Sequence, residues 1–497
     1  MAYTSNDKIR SGGIWSFVQN GGNQIIGFLL GIVLARLLMP EDFGMMAMVM
    51  VFIGFAGFLQ QFGFNQALIQ NQKVDTTDYS TVFWFNTGTG IILFGLFFFG
   101  SEVVARIYDN GTLDGLTKYL AFNFLFNALS SVQGTILTKQ FAFKKLAIIN
   151  LSSNLIMYVV AIPMAIMDFG VISLVWGGIM QNLSKAIALW ISSNWKPVLV
   201  FSKTSFKKLF KFGIFVFLQT PLGYISRNVD TFMIGKLAGD ASLGLYNKAY
   251  QIMLLPLNNI SNSFKQVMFP AMSEAQKDRE RLQMLFLRST RIVAFISFPI
   301  MFGLWSVAEP FILGVYGINW GGTIPLLKVL VFVGAFQSLI TFVGTGYYAL
   351  GKPQIQLYLD IITTPILIAV FYFGYIFSGL LGVVWFYFIF TLIVGSVALG
   401  ILFHLFKLPA NVFLLNLAPV FLTSVFMALV VKGFSFLPLL IALPQIAQLL
   451  LLAFLGAFTY LALNMAFKIE AFFDFANQIQ AIKKLPLLRW YFRNYGK

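Results

Sequence analysis

Apolar runs of about 20 residues, each long enough to cross a bilayer as a helix, recur from one end of this chain to the other. Fourteen can be placed: 14–38, 44–68, 81–103, 118–138, 147–167, 171–193, 211–236, 244–270, 289–308, 323–350, 355–377, 380–403, 411–431 and 444–467. A backbone in hydrocarbon must satisfy its own hydrogen bonds, so runs of this length can only be helices. The first, seventh and eighth are less apolar than the rest, and they count as spans only if their polar residues face a protein interior. Charged residues make up 10% of the chain, against about 25% in soluble proteins. The expected class is therefore an all-α polytopic membrane protein.

The basic residues orient the spans. With the N-terminus on the cytoplasmic side, 24 of the 34 lysines and arginines fall on that side. Five fall outside, at Arg36, Arg106, Lys118, Lys236 and Lys432. This asymmetry follows the positive-inside rule, and an even number of spans returns the C-terminus to the cytoplasm. The net charge of +16 therefore reports topology. It forms no soluble basic stripe, and no nucleic-acid partner is expected. No small-residue cleavage site follows the first apolar run, so it reads as a retained helix. No cysteine is present, and His404 is the one histidine. Thiol chemistry, disulfides and Cys/His metal sites are thereby excluded. No metal or cofactor is expected.

A shift of 200 residues superposes the start of span seven on span one. Gly13 meets Gly213, Phe17 meets Phe217, Gln19 meets Gln219, Arg36 meets Lys236, and Gly44 meets Gly244. Both copies enter the membrane in the same direction. That predicts two parallel six-helix bundles, residues 1–205 and 206–405, related by an axis along the membrane normal. Residues 406–470 would add two helices. Residues 471–497 would form a basic cytoplasmic tail, either an amphipathic helix on the anionic inner leaflet or a disordered basic segment.

Charges at membrane depth are costly and need a partner or a wet cavity. Seven lie inside the spans: Lys185, Arg227, Asp230, Lys248, Lys265, Lys328 and Asp360. Span eight carries Lys248, Gln251, Leu255, Asn258, Asn262 and Lys265 at steps of three and four, all polar except Leu255, so one helix face is polar. Pro256 is expected to bend it. Span seven adds Arg227 and Asp230, three apart and able to pair. Gln19 and Asn23 of span one and Gln61 of span two extend the polar set. The expected substrate path comprises Gln19, Asn23, Arg36, Gln61, Lys185, Arg227, Lys236, Lys248, Gln251, Asn258, Asn262 and Lys265. Cations would attract phosphate or acidic sugars, and amides would bond hydroxyls. Spans one, two, seven and eight would line the cleft. Interhelical hydrogen bonding is the plainer reading of any isolated asparagine. Asp230 and Asp360 are candidates for coupling to H⁺ or Na⁺.

Three strings carry a family resemblance: LARLLMPEDFGMMAM at 34–48, QQFGFNQALIQ with TTDYSTVFWFN over 60–86, and YISRNVDTFMIGKLAGDASLGLYNKAYQI at 224–252. They resemble the Wzx-type polysaccharide flippases of the multidrug/oligosaccharidyl-lipid/polysaccharide superfamily. The resemblance implies two six-helix bundles around a cationic cavity, alternating access, and no enzymatic step. As substrate it implies an oligosaccharide on undecaprenyl pyrophosphate, moved from the cytoplasmic to the periplasmic leaflet of a bacterial inner membrane. Carried over by position, Arg36 and Lys236 would flank the outer mouth, with Arg227, Asp230, Lys248 and Lys265 along the path. A monomer would suffice, with membrane lipids as its other partners. A cation-coupled drug exporter of the same superfamily would favour acidic cavity residues, whereas here basic ones outnumber them five to two. A glycan polymerase or ligase would need a larger outer loop bearing acid/base groups.

Overall fold

The computed structural model describes residues 5–478, and every regular element among them is helical. The chain divides into two compact units, residues 1–244 and 245–497.

The first unit holds α1 (Ser5–Leu37), α2 (Pro40–Gln61), α3 (Phe64–Gln70), α4 (Thr76–Phe99), α5 (Ser101–Tyr108), α6 (Thr112–Lys139), α7 (Phe143–Ile166), α8 (Val171–Ser192) and the first segment of α9 (Lys203–Glu274). Helix α9 is interrupted at Gly239, with φ 82° and ψ 179°, a conformation open to glycine and strained for other residues. Pairwise packing runs α1 on α7, α7 on α8, α8 on α6 and α6 on α4.

The second unit contains the rest of α9, then α10 (Arg279–Ser306) and α11 (Ala308–Phe311). A π-helical turn (Ile312–Tyr316) and a 3₁₀ turn (Ile318–Trp320) follow. Next come α12 (Thr323–Ile340), α13 (Val343–Ala349), α14 (Pro353–Phe406), α15 (Ala410–Phe434), α16 (Pro438–Ile441), α17 (Gln445–Ala466) and α18 (Glu470–Gln478). Helix α10 packs on α12 and α15, α12 on α14, and α15 on α17.

Among the described residues, ten helical stretches are long and apolar enough to cross a membrane. One of them, α14, is 54 residues long and leaves helical geometry at Ser378 and Gly379, so it supplies two crossings. Helix α8 and the two segments of α9 fall outside the ten, and all three bear polar side chains at membrane depth. With them the fourteen apolar runs all fall on helices, and the protein is a multi-pass membrane protein.

Several ends differ from the sequence expectation. The run 44–68 is cut by Phe62 (φ 46°) and Gly63 (φ 71°), which end α2 in a left-handed cap and start α3. The run 81–103 begins earlier, at Thr76, where the Asp75 carboxylate accepts the Asp78 backbone N–H at 2.7 Å; this is an N-cap. It stops at Phe99, and α5 follows as a separate short helix. Helix α9 keeps helical dihedrals through Pro256, its one non-helical residue being Gly239.

An aromatic seam joins α2 to the first segment of α9. Phe62 stacks on Phe217 with ring centroids 4.0 Å apart, and Phe58 meets Tyr224 edge-on at 5.2 Å. The Tyr224 hydroxyl donates to the Val51 carbonyl at 3.0 Å. The repeat-defined boundary at 205 and the packing boundary at 244 thus differ, because span seven packs within the first unit.

Candidate functional site

In the first unit, three helices contribute polar side chains to one cavity of about 470 Å³. Helix α1 gives Gln19 and Asn23, one turn apart. Helix α7 gives Asn150, Ser153 and Asn154, and α8 gives Gln181, Asn182 and Lys185. Residues three and four apart share a helix face, so each helix turns one polar patch inward. All eight lining residues are polar and none is a carboxylate.

The amides hold one another in place. Asn154 Nδ2 donates to Asn23 Oδ1 at 3.2 Å, tying α7 to α1. Asn182 Nδ2 donates to Asn123 Oδ1 at 3.0 Å and to the Gly178 carbonyl at 3.2 Å, tying α8 to α6. Lys185 takes part in none of the ion pairs of the described residues. An ammonium among amides, with no carboxylate at hand, offers charge to an anion and hydrogen bonds to hydroxyls.

Of the residues singled out from sequence, Gln19, Asn23 and Lys185 come together here. The other first-unit candidates whose side chains are described lie elsewhere. Arg36 sits in the last turn of α1. Arg227 is exposed, and its Nε donates to the Gly223 carbonyl at 2.9 Å. Asp230 is buried and accepts from the Thr231 backbone N–H at 2.7 Å. Lys236 Nζ donates to Asp109 Oδ2 at 2.5 Å. Gln60 of span two is buried and donates to the Phe124 carbonyl at 2.5 Å. The cavity therefore draws on spans one, five and six. Asn150, Ser153 and Asn154 were not anticipated, although their i, i+3, i+4 spacing inside an apolar run was visible.

In the second unit, Lys248 is 8% exposed. Its ammonium lies 5.2 Å from the Tyr316 ring centroid and 4.9 Å from that of Trp320, within cation–π range. Gln251 and Lys265 are exposed. Asp360 is exposed and accepts from Gln356 Nε2 at 2.9 Å. The side chains of Gln61, Asn258 and Asn262 lie outside the described residues.

On the second unit's surface, α18 docks on α10. Arg288 and Arg291 both pair with Asp474, at 3.0 and 2.5 Å, and Arg291 also pairs with Glu470. Phe475 packs on Phe295 with centroids 5.5 Å apart. The start of the tail is thus fastened to protein by acidic residues; Lys483, Lys484, Arg489 and Arg493 lie outside the described residues.

The chain is 30% identical over 385 residues to the teichuronic acid biosynthesis protein TuaB of Bacillus subtilis, covering 77% of this chain and 79% of that protein. It is 25% identical to the lipopolysaccharide biosynthesis protein WzxC of Escherichia coli, over 76% of this chain and 77% of that one. In fold it is similar to a lipid II flippase, MurJ, in an inward closed conformation. The TM-score is 0.75 at 18% identity, over 91% of this chain and 98% of that one. A multidrug-resistance transporter of the multidrug/oligosaccharidyl-lipid/polysaccharide superfamily, inward-facing, gives a TM-score of 0.62 at 15% identity, over 78% of this chain and 96% of that one. The family described as polysaccharide biosynthesis protein matches residues 33–325, more than half of the sequence. The chain belongs to this polysaccharide biosynthesis protein family.

Proposed function

We propose that the protein moves an oligosaccharide linked to undecaprenyl pyrophosphate from the cytoplasmic to the periplasmic leaflet of a bacterial inner membrane. The observation that carries this reading is the cavity of Lys185. It is the size of a small-molecule site, for which about 300–1,000 Å³ is usual, and it holds one cation among amides at membrane depth. Such a lining suits a hydroxyl-rich anionic headgroup and repels cationic drugs. The relatives' roles in teichuronic acid and lipopolysaccharide biosynthesis support a glycan as cargo.

With both termini cytoplasmic, Lys185 stands in the inner half of the membrane, two turns before α8 ends at Ser192. The headgroup would enter from the cytoplasmic side, while the prenyl chain stays in lipid. Rocking of the repeat-defined bundles, 1–205 against 206–405, would then expose the cavity outward. Direction would come from different affinities in the two states, with Asp230 and Asp360 as candidates for binding a coupling H⁺ or Na⁺. The protein would act as a monomer.

The test is leaflet exposure of a fluorescent lipid-linked oligosaccharide in vesicles containing the purified protein. Protein-dependent transfer, slowed in Lys185→Gln, is the expected result. Transfer at the rate of empty vesicles would overturn the assignment.

A further inference from the structure

The repeat offset of 200 residues has a physical counterpart within the first unit. Gly44 lies in the first turns of α2, and a Cβ there would overlap the backbone carbonyl of Asp240. Gly244 lies one turn after Asp240, and a Cβ there would overlap the backbone carbonyl of Pro40. Residue 44 therefore meets 240 and residue 244 meets 40. The contact is reciprocal, as at a two-fold interface between identical subunits. Two helix starts cross with each glycine seated on the other's first-turn carbonyl. Only glycine permits so close an approach of two backbones.

The polar contacts around this crossing are weak one by one. Lys236 pairs with Asp109, but both side chains are well exposed, at 41% and 79%, and exposed ion pairs contribute little. Asn110 Nδ2 donates to Asp240 Oδ2 at 2.9 Å. Backbone carbon–oxygen contacts of the glycine kind contribute only about 0.5–1 kcal/mol each. The segment that meets α2 begins at the Gly239 interruption, where the helix axis is free to redirect. Met48 is 1% exposed one turn behind Gly44 and lies against Gly235. A shape-specific closure made of separately weak contacts, beside a break in the helix, is built to part and re-form.

We propose that the Gly44–Gly244 crossing, with Lys236–Asp109 as its latch, is the reversible outer closure of the transport path. This rests on the reading of the protein as an alternating-access transporter. Alanine is a better helix former than glycine, so Gly44→Ala or Gly244→Ala penalises the crossing and leaves the separated helices intact.

The chain has no cysteine of its own, so a single Met48→Cys reports access from outside. In proteoliposomes, an impermeant maleimide should label Met48→Cys slowly. It should label about tenfold faster when Gly44→Ala or Gly244→Ala is added, the gain expected from a modest population shift. Gly31→Ala, in α1 with open space around it, should change nothing. In a second arm the glycines stay native: Asp109→Cys with Lys236→Cys, bridged by a short bis-methanethiosulfonate, should stop leaflet transfer, and reductant should restore it. Unchanged Met48→Cys labelling in monodisperse Gly44→Ala protein, or full transfer by the bridged protein, would show a static packing contact and overturn the proposal. If the unsubstituted protein transfers no lipid-linked saccharide, the flippase reading falls, while the labelling arm still decides whether this crossing opens.

Discussion

Lys185 stands in an amide-lined cavity with no carboxylate on its walls, whereas Lys248 lies beneath the faces of Tyr316 and Trp320. Both bring an ammonium to membrane depth, and the sequence puts both among the expected path residues, Lys248 with the added support of a polar helix face. Hydrocarbon penalises such a charge unless dipoles, a counter-charge or water compensate it. Around Lys185 the compensation comes from oriented amides with room left for a ligand. Around Lys248 it comes in part from ring quadrupoles that close over the charge and leave little room. The lesson is that an intramembrane cation marks a ligand site only where the surrounding dipoles leave a vacancy. Packing aromatic rings against it instead makes the cation part of the scaffold.

The largest effect that would sharpen this contrast is expected at Trp320, which is fully buried. Trp320→Ala opens a cavity and uncovers the Lys248 ammonium, so a loss of about 3–5 kcal/mol in stability is expected. Thermal unfolding in detergent measures it, and an unchanged midpoint would contradict a structural role for the aromatic lid. Lys185→Gln comes next. Removing one charge-assisted bond of about 1.5–3 kcal/mol should slow lipid-linked oligosaccharide transfer about tenfold or more, with the unfolding midpoint held. A drop in stability without a transport defect would reverse the roles assigned to the two lysines.

Asp474→Asn should cost about 1–3 kcal/mol, because the carboxylate joins two arginines at a part-buried site; proteolysis near α18 reads the loosening. Asn154→Leu removes the amide that ties α7 to α1. It should lower stability by only about 0.6 kcal/mol, the usual worth of an interhelical bond in a bilayer. Its larger consequence should be weaker saccharide affinity, measured by competition with the soluble headgroup. Lys248→Met keeps the volume and drops the charge, so transfer rates should stay close to those of the parent protein. A well-folded Lys248→Met protein that transfers nothing would place Lys248 on the path after all and dissolve the comparison.

The helices were legible because hydrocarbon imposes one rule on every span. Apolar length placed fourteen runs, all of which fall on helices, although α8 and the two segments of α9 are less apolar than the rest, and the gaps at 236–244 and 377–380 foreshadowed the breaks at Gly239 and at Ser378–Gly379. The cut at Phe62–Gly63 was not legible, because hydropathy runs straight through it while backbone dihedrals do not. At the site, Gln19, Asn23 and Lys185 were readable as polar residues with no reason to face lipid. Asn150, Ser153 and Asn154 were passed over, since small polar residues in a span serve equally as helix-packing contacts, and only the fold shows that they share a cavity. The partners of Lys248 come from turns about 70 residues downstream, a distance that no local pattern bridges.

The docking of α18 on α10 has a consequence in time. A membrane chain is inserted as it is made, from its N-terminus onward. Arg288 and Arg291 therefore reach the bilayer before Glu470 and Asp474 exist. In the proposed orientation their bare charge first anchors α10 on the cytoplasmic side. When translation reaches α18, the acidic side chains engage them and close the second unit. In that orientation the same two guanidinium groups would serve first as a topogenic signal and later as the fastening for α18.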